Sequence, residues 1–539
     1  MPIWKSKKKK KIKQIPHTTM SKQQERKING QLQDTIDFIN RLLGDNDDFI
    51  VRRFSIYGKH SAALFYISNL VEQSTIHREI LKSLMEMPDH IDAEELKQEV
   101  ILDTLAEKVL YQGELKREKQ LVKLIEAILA GETVLTIDGV QEAFHIETRS
   151  VDKRAVDSPE TEQVIIGPRE GFIERLGTNI GLLRYRLPTA DFCIKTLKVG
   201  RLTKSKVAIC YLKGISNQAL VDEVEKRLKK INIDAVLDIG YLEQYIEDYH
   251  YTPFTQTLLT ERPDSTIGNL IEGRVAILVD GSPFAMVVPA VFNQFYQATE
   301  DYSTRFVMGS FSRFVRMFAL VFSLIVPSLY VSFISFNPEL VPTEFAVAVA
   351  GGRSGVPYPA VVELLILEGA MEILREATIR LPKQIGNALS IVGVLIIGDA
   401  AVQAGLSSPI TVVVIALTTI ASFATPVYNA SFALRFLRFP LAILAGLFGL
   451  YGVMVGLIMI LNHMLSLKSF GVPYLSPTAP WHTQEMKDSV IRFPFWWMPK
   501  RPSMFQSENK TRVKESKESI TSQPTQPFDP LNNRNDGGN

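Results

Sequence analysis

Hydrophobic positions along the chain follow two regimes, and the change comes near residue 310. Before it, apolar residues come in short runs rich in β-branched side chains, each followed by a helical spacing of three and four. Ser61–Leu84, SAALFYISNLVEQSTIHREILKSL, reads as a strand, a turn and an amphipathic helix, and Ser205–Ile231, SKVAICYLKGISNQALVDEVEKRLKKI, repeats that order. About 70 residues after each strand comes an Asp-Gly between two β-rich runs, Asp138-Gly139 in TVLTIDGVQEAFHIE and Asp280-Gly281 in RVAILVDGSPFAMVV. Asp-Gly in that setting predicts a hairpin with a type I′ turn, which needs φ > 0 at both central residues. The duplication predicts a soluble α/β N-terminal region of two lobes, residues 31–155 and 156–300.

Beyond 310 the runs lengthen. Met317–Phe336 carries no charge, Ile385–Leu434 carries only Asp399, and Pro440–Leu467 carries none. About 20 apolar residues at ~1.5 Å rise span a ~30 Å hydrocarbon core. Residues 311–467 therefore read as an α-helical polytopic membrane domain of four to six spans. The clear ones lie at roughly 316–336, 386–404, 409–428 and 439–464. GLSSP at 405–409 and a loop at Arg435 and Arg438 punctuate them. Segment 343–376 is interrupted by GGRSGVPYP, Gly351–Pro359, which breaks a continuous helix. Arg313 and Arg316 place the start of the first span in the cytoplasm. Lys487, Arg492, Lys500 and Arg501 ask for the same side after the last one, which favours an even number of crossings.

Composition adds less than distribution. Sixty basic and 58 acidic residues leave a formal charge of +2, and nothing points to a nucleic-acid partner. Two cysteines, Cys193 and Cys210, fit a reducing compartment and no disulfide framework. The first 13 residues hold seven lysines with no apolar run behind them, so residues 1–30 read as a basic disordered arm that can touch anionic lipid. Residues 468–503 form a C-terminal segment in which RFPFWWMPKRP, Arg492–Pro502, mixes cations with Trp496 and Trp497. Those rings suit either a membrane interface or a small core. Residues 504–539 are polar and read as a disordered tail. There is no HExxH, no Cys/His spacing for zinc and no GxSxG elbow. GGRSG lacks the GxxxxGK[ST] pattern of a phosphate loop. No enzyme, metal or cofactor is expected.

Two acidic features stand out in the apolar half. Val361–Ala377, VVELLILEGAMEILREA, carries Glu363, Glu368, Glu372 and Glu376. The last three fall within an arc of about 80° on a helix. Their like-charge i,i+4 neighbours cost ~0.2–0.5 kcal/mol each, so water, cations or arginines should face them. Asp399 costs ~2.5–3.5 kcal/mol to insert. On its helical face lie Val392, Leu395, Ile396 and Gln403, an acid and an amide beside an apolar ring. Acidic rings favour cations and apolar rings gate by dewetting. Glu368, Glu372, Val392, Ile396, Asp399 and Gln403 are the candidate ion path, formed by several copies. Outside the membrane, Arg169 and Glu170 follow a Gly-Pro turn at the start of an expected helix and are candidates for an inter-lobe or subunit contact.

GPREGFIERLGTNIGLLRYRL (Gly167–Leu187), ERPD (Glu261–Asp264), EGRVAILVDGSPFAMVVPA (Glu272–Ala290), the block from Pro342 to Gln384 and KSFGVPYLSPTAP (Lys468–Pro480) together resemble the A subunit of GerA-type spore germinant receptors. The resemblance covers roughly 160–503 in order. It implies a place in the inner membrane of the endospore, with the large N-terminal region cytoplasmic. It also implies partnership with a transporter-like B subunit and a lipoprotein C subunit, and a homo-oligomer that forms the channel whose opening starts ion release. The alternatives are a paralogous sporulation subunit that amplifies ion release without sensing nutrients, and a secondary transporter. The latter usually has more spans and inverted repeats within them.

Overall fold

The computed structural model describes residues 26–86, 101–109, 115–150, 158–380 and 398–512. The expectations for residues 1–25, for 513–539, and for Val392 and Ile396 lie outside the described residues.

The N-terminal half contains two five-stranded antiparallel sheets with one topology. In the first lobe α1 (Leu32–Leu43) leads into β1 (Phe49–Ile56) and β2 (His60–Ile67). Irregular helical segments at 73–85 and 101–109 follow, then β3 (Leu115–Glu118), α2 (Leu121–Ala130), β4 (Thr133–Ile137) and β5 (Ala143–Ile146). In the second, α3 (Leu176–Arg186) leads into β6 (Phe192–Val199), β7 (Ser205–Leu212), α4 (Gln218–Lys230) and α5 (Ile239–Ile246). After these come β8 (Leu258–Thr260), α6 (Pro263–Ile271), β9 (Val275–Val279) and β10 (Ala285–Val288). The strand orders are β1-β2-β4-β5-β3 and β6-β7-β9-β10-β8. Central strands β4 and β9 are buried along their whole length because helices cover both faces. In the second lobe α4 and α5 cover one face, and α3 and α6 the other. α4 shows the sequence logic: Asn217 caps it by accepting from the Ala219 N–H, and it buries only Val221, Val224 and Leu228.

The two Asp-Gly hairpins are present, but not as two-residue turns. Thr136 pairs with Ala143 and Leu278 with Ala285, so the loops are wider, and only the glycines take positive φ (82° and 97°). The aspartates have another task. Asp138 Oδ1 accepts from the Leu32 N–H and Asp280 Oδ1 from the Leu176 N–H, each at the first residue of its lobe's leading helix. Carboxylates there satisfy an orphan donor and complement the helix dipole. The same contact in both lobes is a repeat of mechanism as well as order.

α3 bolts the lobes together. Arg184, 1% exposed, donates from Nε and Nη2 to Asp48 at 2.6 Å and from Nη2 to Asn46 at 2.8 Å, both in the first lobe. Gly177 and Gly181 let the helix backbone approach Asn69; a Cβ on Gly181 would sit 2.8 Å from the Asn69 carbonyl oxygen. Cys193 and Cys210 are buried, free thiols on neighbouring strands.

The apolar helices are α7 (Phe306–Ser335), α8 (Thr343–Arg353), α9 (Ala360–Arg380), α10 (Pro409–Phe423) and α11 (Tyr428–Ser466). Among the described residues α7 and α11 are long and apolar enough to cross a membrane. The break expected at GGRSGVPYP separates α8 from α9. α11 is not one rod. Gly449 sits at φ 61°, ψ −142°, a region essentially closed to other residues. Around it Gly452 lies against Leu444 and Gly456 against Leu441. The helix thus folds into two antiparallel arms, 428–448 and 450–466, joined at Gly449, which in turn abuts Phe336 at the end of α7.

The C-terminal segment is clamped on the second lobe. Tyr474 is 1% exposed among Phe254, Phe292 and Phe295, with ring centroids 6.1 Å away. Part of the expected tail belongs to this clamp: Phe505 is buried beneath Arg274, 4.1 Å from ring centroid to guanidinium, and packing continues to residue 512.

Candidate functional site

Two charged clusters tie the apolar helices together. The first lies where α7 leaves the second lobe. Arg313, fully buried on the first turns of α7, donates to Asp301 Oδ2 (3.2 Å), Asp488 Oδ1 (2.9 Å) and the Ser489 carbonyl (3.1 Å). Arg316 reaches the other oxygen of Asp301 and the Tyr296 carbonyl. Tyr302 donates to Asp488 Oδ2 at 2.9 Å, and Arg492 donates to the carbonyls of Asp301 and Thr304. Residues 488–492 are thus wedged between the lobe's exit segment and α7. The two carboxylates join them with charge-assisted hydrogen bonds.

The second cluster lies among the helices. α9 projects its glutamates towards arginines of the same chain. Glu368, 3% exposed, receives both 2.8 Å and 2.9 Å bonds from Arg438 Nη1. Glu372 Oε1 lies 3.0 Å from both Arg435 Nε and Arg375 Nη1. Arg375 also reaches Ser422 at the end of α10 (3.3 Å) and lies over Phe423. Glu363, fully buried, accepts from the Ser407 hydroxyl (2.9 Å) and the Ser408 N–H, with Arg353 Nε at 3.4 Å. Glu376 pairs with Arg380, in the open. Three glutamates therefore meet four arginines, and Arg435 and Arg438 keep buried N–H groups without partners among the described residues.

This corrects one expectation. Arg435 and Arg438 do not mark a loop; they are helical and buried in the first arm of α11. Charge read locally implies solvent, whereas here the glutamates of α9 neutralise it. It also answers the question of what faces the acidic stripe: for Glu368 and Glu372, arginines of the same chain. Asp399 and Gln403 are different. They sit on a helical stretch, 398–403, with Gln403 Nε2 donating to Asp399 Oδ2 at 2.7 Å, and both are exposed. Arg169 is exposed in a non-helical stretch, since α3 begins only at Leu176. Glu170 pairs with Arg186 of its own lobe at 2.5 Å. Arg184 links the lobes, as do Lys213 with Asp45 and Thr196 with Asp47; sequence reasoning passed over Arg184 because it lies mid-helix with no partner nearby in sequence. Trp496 and Trp497 stay about half exposed, at 51% and 56%, and form no core.

The helices have a consistent polarity relative to the second lobe. α7 starts at the lobe and ends at Gly449. α9 starts beside Gly446, through Val361, and its Arg375 reaches Ser422 towards the lobe end. Gly405 lies against Gly355, back at the far end, and Thr411 bonds Tyr330 there (2.8 Å). Pro426 and Val427, after α10, line a cleft together with second-lobe residues. The last arm returns to the lobe, where His463 bonds Thr252 at 2.8 Å and Tyr249 bonds the Ser466 carbonyl at 3.2 Å.

The sequence matches the Bacillus/Clostridium GerA spore germination protein family over residues 37–504. It is similar to spore germination protein KA of Bacillus subtilis (strain 168), 41% identical over 472 residues, covering 87% of this chain and 86% of that one. It is likewise similar to the uncharacterized membrane protein YfkQ of the same strain, 38% identical over 487 residues, covering 90% and 93%. Among solved structures, the N-terminal domain of the A subunit of the Bacillus megaterium spore germinant receptor GerK3 matches at 32% identity. That match covers 50% of this chain and 98% of that one, with a TM-score of 0.37. The chain belongs to the GerA spore germination protein family.

Proposed function

We propose that the chain is the membrane-embedded A subunit of a nutrient-germinant receptor in the spore inner membrane, working with a B and a C subunit. Its apolar segments cross the bilayer six times: α7, α9, the span read from the sequence at 386–404, α10, and each arm of α11. The observation that carries this reading is that both ends of the apolar region dock on the second lobe, Arg316 on the Tyr296 carbonyl at the start and His463 on Thr252 at the end. A chain that leaves and returns on one face crosses an even number of times. A straight α11 would be about 58 Å long at ~1.5 Å per residue, nearly twice the hydrocarbon thickness, whereas each arm fits one leaflet pair. The lobes and the C-terminal clamp then share the cytoplasmic side, in keeping with the free thiols. The name of one relative, a membrane protein, supports a membrane location for the helices.

Channel formation follows as the second part of the proposal. The cluster on Glu368 and Glu372 is internally neutralised and holds helix register within one chain. Asp399 and Gln403 are left exposed to a neighbouring copy, with Val392 and Ile396 as the apolar constriction. Several copies would bring these faces to a shared cation path.

Cysteine labelling in sealed vesicles tests the topology. Ser354→Cys should react with an impermeant maleimide from the side opposite to Ser503→Cys; reaction from one side for both would overturn it. Asp399→Asn should lower cation conductance in planar bilayers with assembly intact, and unchanged conductance and selectivity would remove Asp399 from the path.

A further inference from the structure

A cleft of ≈980 Å3 opens where the second lobe, the exit segment at Tyr302, the turn at Pro426–Val427 and the C-terminal clamp meet. One wall is built by a short antiparallel pairing inside the clamp. Lys500 bridges Thr511, the Arg501 N–H donates to the Lys510 carbonyl (3.0 Å), and the Arg512 N–H donates to the Pro499 carbonyl (2.8 Å). That ladder gathers Lys500, Arg501, Lys510 and Arg512 on one patch, and all four line the cleft. No carboxylate among the described residues pairs with any of them. Arg501 is held by the carbonyls of Ile271, Asn509 and Thr511, which fix the guanidinium without cancelling its charge. Burial and the neighbouring Arg512 cation lower its pKa, against the smaller opposing pull of the Glu272 carboxylate. Arg512 lies over the Phe495 ring at 5.5 Å, and Phe495 and Trp497 line the same space.

Four cations held together by backbone pairing, with no salt-bridged carboxylate among the described residues and beside an open volume, repel each other until an anion of more than one charge joins them. Of the carboxylates lining the cleft, Asp264 pairs with Arg262 (2.8 Å), Glu272 with Arg274 (3.1 Å) and Asp488 with Arg313 (2.9 Å), and the Thr260 hydroxyl donates to Glu162 (2.6 Å). One oxygen of Glu485 receives the Ser503 N–H and hydroxyl, and its other oxygen has no partner among the described residues. We propose that this cleft is a phosphate-binding site, its cationic wall taking a phosphate group and its aromatic side chains the body that carries it. The phosphate can belong to a lipid headgroup or to a soluble phosphate compound. Occupancy would bridge the lobe, the clamp and the turn between α10 and α11.

The test uses the full chain in phosphatidylcholine nanodiscs. Inorganic pyrophosphate is titrated by calorimetry, and phosphatidylglycerol retention is followed by native mass spectrometry. Each charge-assisted contact removed should weaken binding by about tenfold, so Lys500→Gln with Arg512→Gln should lose saturable binding. Lys198→Gln, exposed on β6, should leave it unchanged. Saturation by pyrophosphate supports a soluble ligand; one-to-one retention of phosphatidylglycerol alone supports a headgroup. Neither probe binding one-to-one, or binding equal in the double variant and wild type, overturns the proposal. The pyrophosphate arm needs no bilayer crossing, so its failure is distinct from failure of the topology.

Discussion

Replacing Glu368 and Arg438 singly and together by leucine tests whether the inner charge cluster is a coupled structural pair. The two side chains are 4% and 2% exposed and meet at 2.8 Å and 2.9 Å. Glu368→Leu leaves a guanidinium buried with its Nη1 as well as its Nε and Nη2 unpartnered. Breaking a buried pair from one side costs ~3–5 kcal/mol. Removing both charges restores a neutral, apolar contact between α9 and α11, and such replacements are neutral or stabilising by ~1–4 kcal/mol. The double variant should therefore be at least as stable as wild type while each single is markedly weaker, a coupling of several kcal/mol. Thermal unfolding of the detergent-purified protein, run as a double-mutant cycle, reads this directly. Additive losses, with the double variant less stable than either single, would refute the argument that the acidic stripe exists for the arginines of α11.

Three further outcomes follow from the same geometry. Arg184→Ala strands the buried Asp48 carboxylate and should cost ~3–5 kcal/mol in denaturant unfolding, with Arg184→Lys a poor rescue because the bidentate contact is lost. Gly449→Ala forces a Cβ 2.8 Å from Phe336 and a backbone strain of ~1–3 kcal/mol, so Tm should fall with the lobes' own unfolding unchanged. Burial pushes the Glu162 carboxyl up to about 7 from its ordinary 4.5. The folded state then holds the extra proton, so stability declines as pH rises from ~4.5 to ~7 and is flat above, by an amount on the order of 3 kcal/mol at ~1.36 kcal/mol per unit. Glu162→Gln should flatten that slope and raise stability at pH 8; an unchanged pH profile would refute it.

Much of the fold was legible because its signals are local. Strand alternation, the spacing of Val221, Val224 and Leu228, the Asp-Gly pairs and the break at GGRSGVPYP are each readable within a few residues. What was missed is non-local. Asp138 and Asp280 read as turn residues because their partners, the Leu32 and Leu176 N–H groups, lie 106 and 104 residues away. Arg435 and Arg438 read as a loop because the glutamate facing Arg438 lies 70 residues upstream. Arg184 gave no signal, since its acceptors, Asp48 and Asn46, are 136 and 138 residues back. Periodicity reports which face of a helix is wet in isolation; it does not report that another helix of opposite charge covers that face.

The clamp has a consequence for how the molecule is made. During synthesis the lobes emerge first and can fold while the apolar helices are still being made. Arg313 is then already in place, but Asp488 and Arg492 have not left the ribosome. The junction at the root of α7 stays half built until the apolar helices have all been made, with one of its two carboxylates missing. Only when the last stretch of polypeptide is released can it return to the second lobe, seat Tyr474 among three rings and close the charge network. Completion of the chain is thereby registered at the root of α7, and a nascent or clipped protein lacks the piece that makes lobe and helices one body.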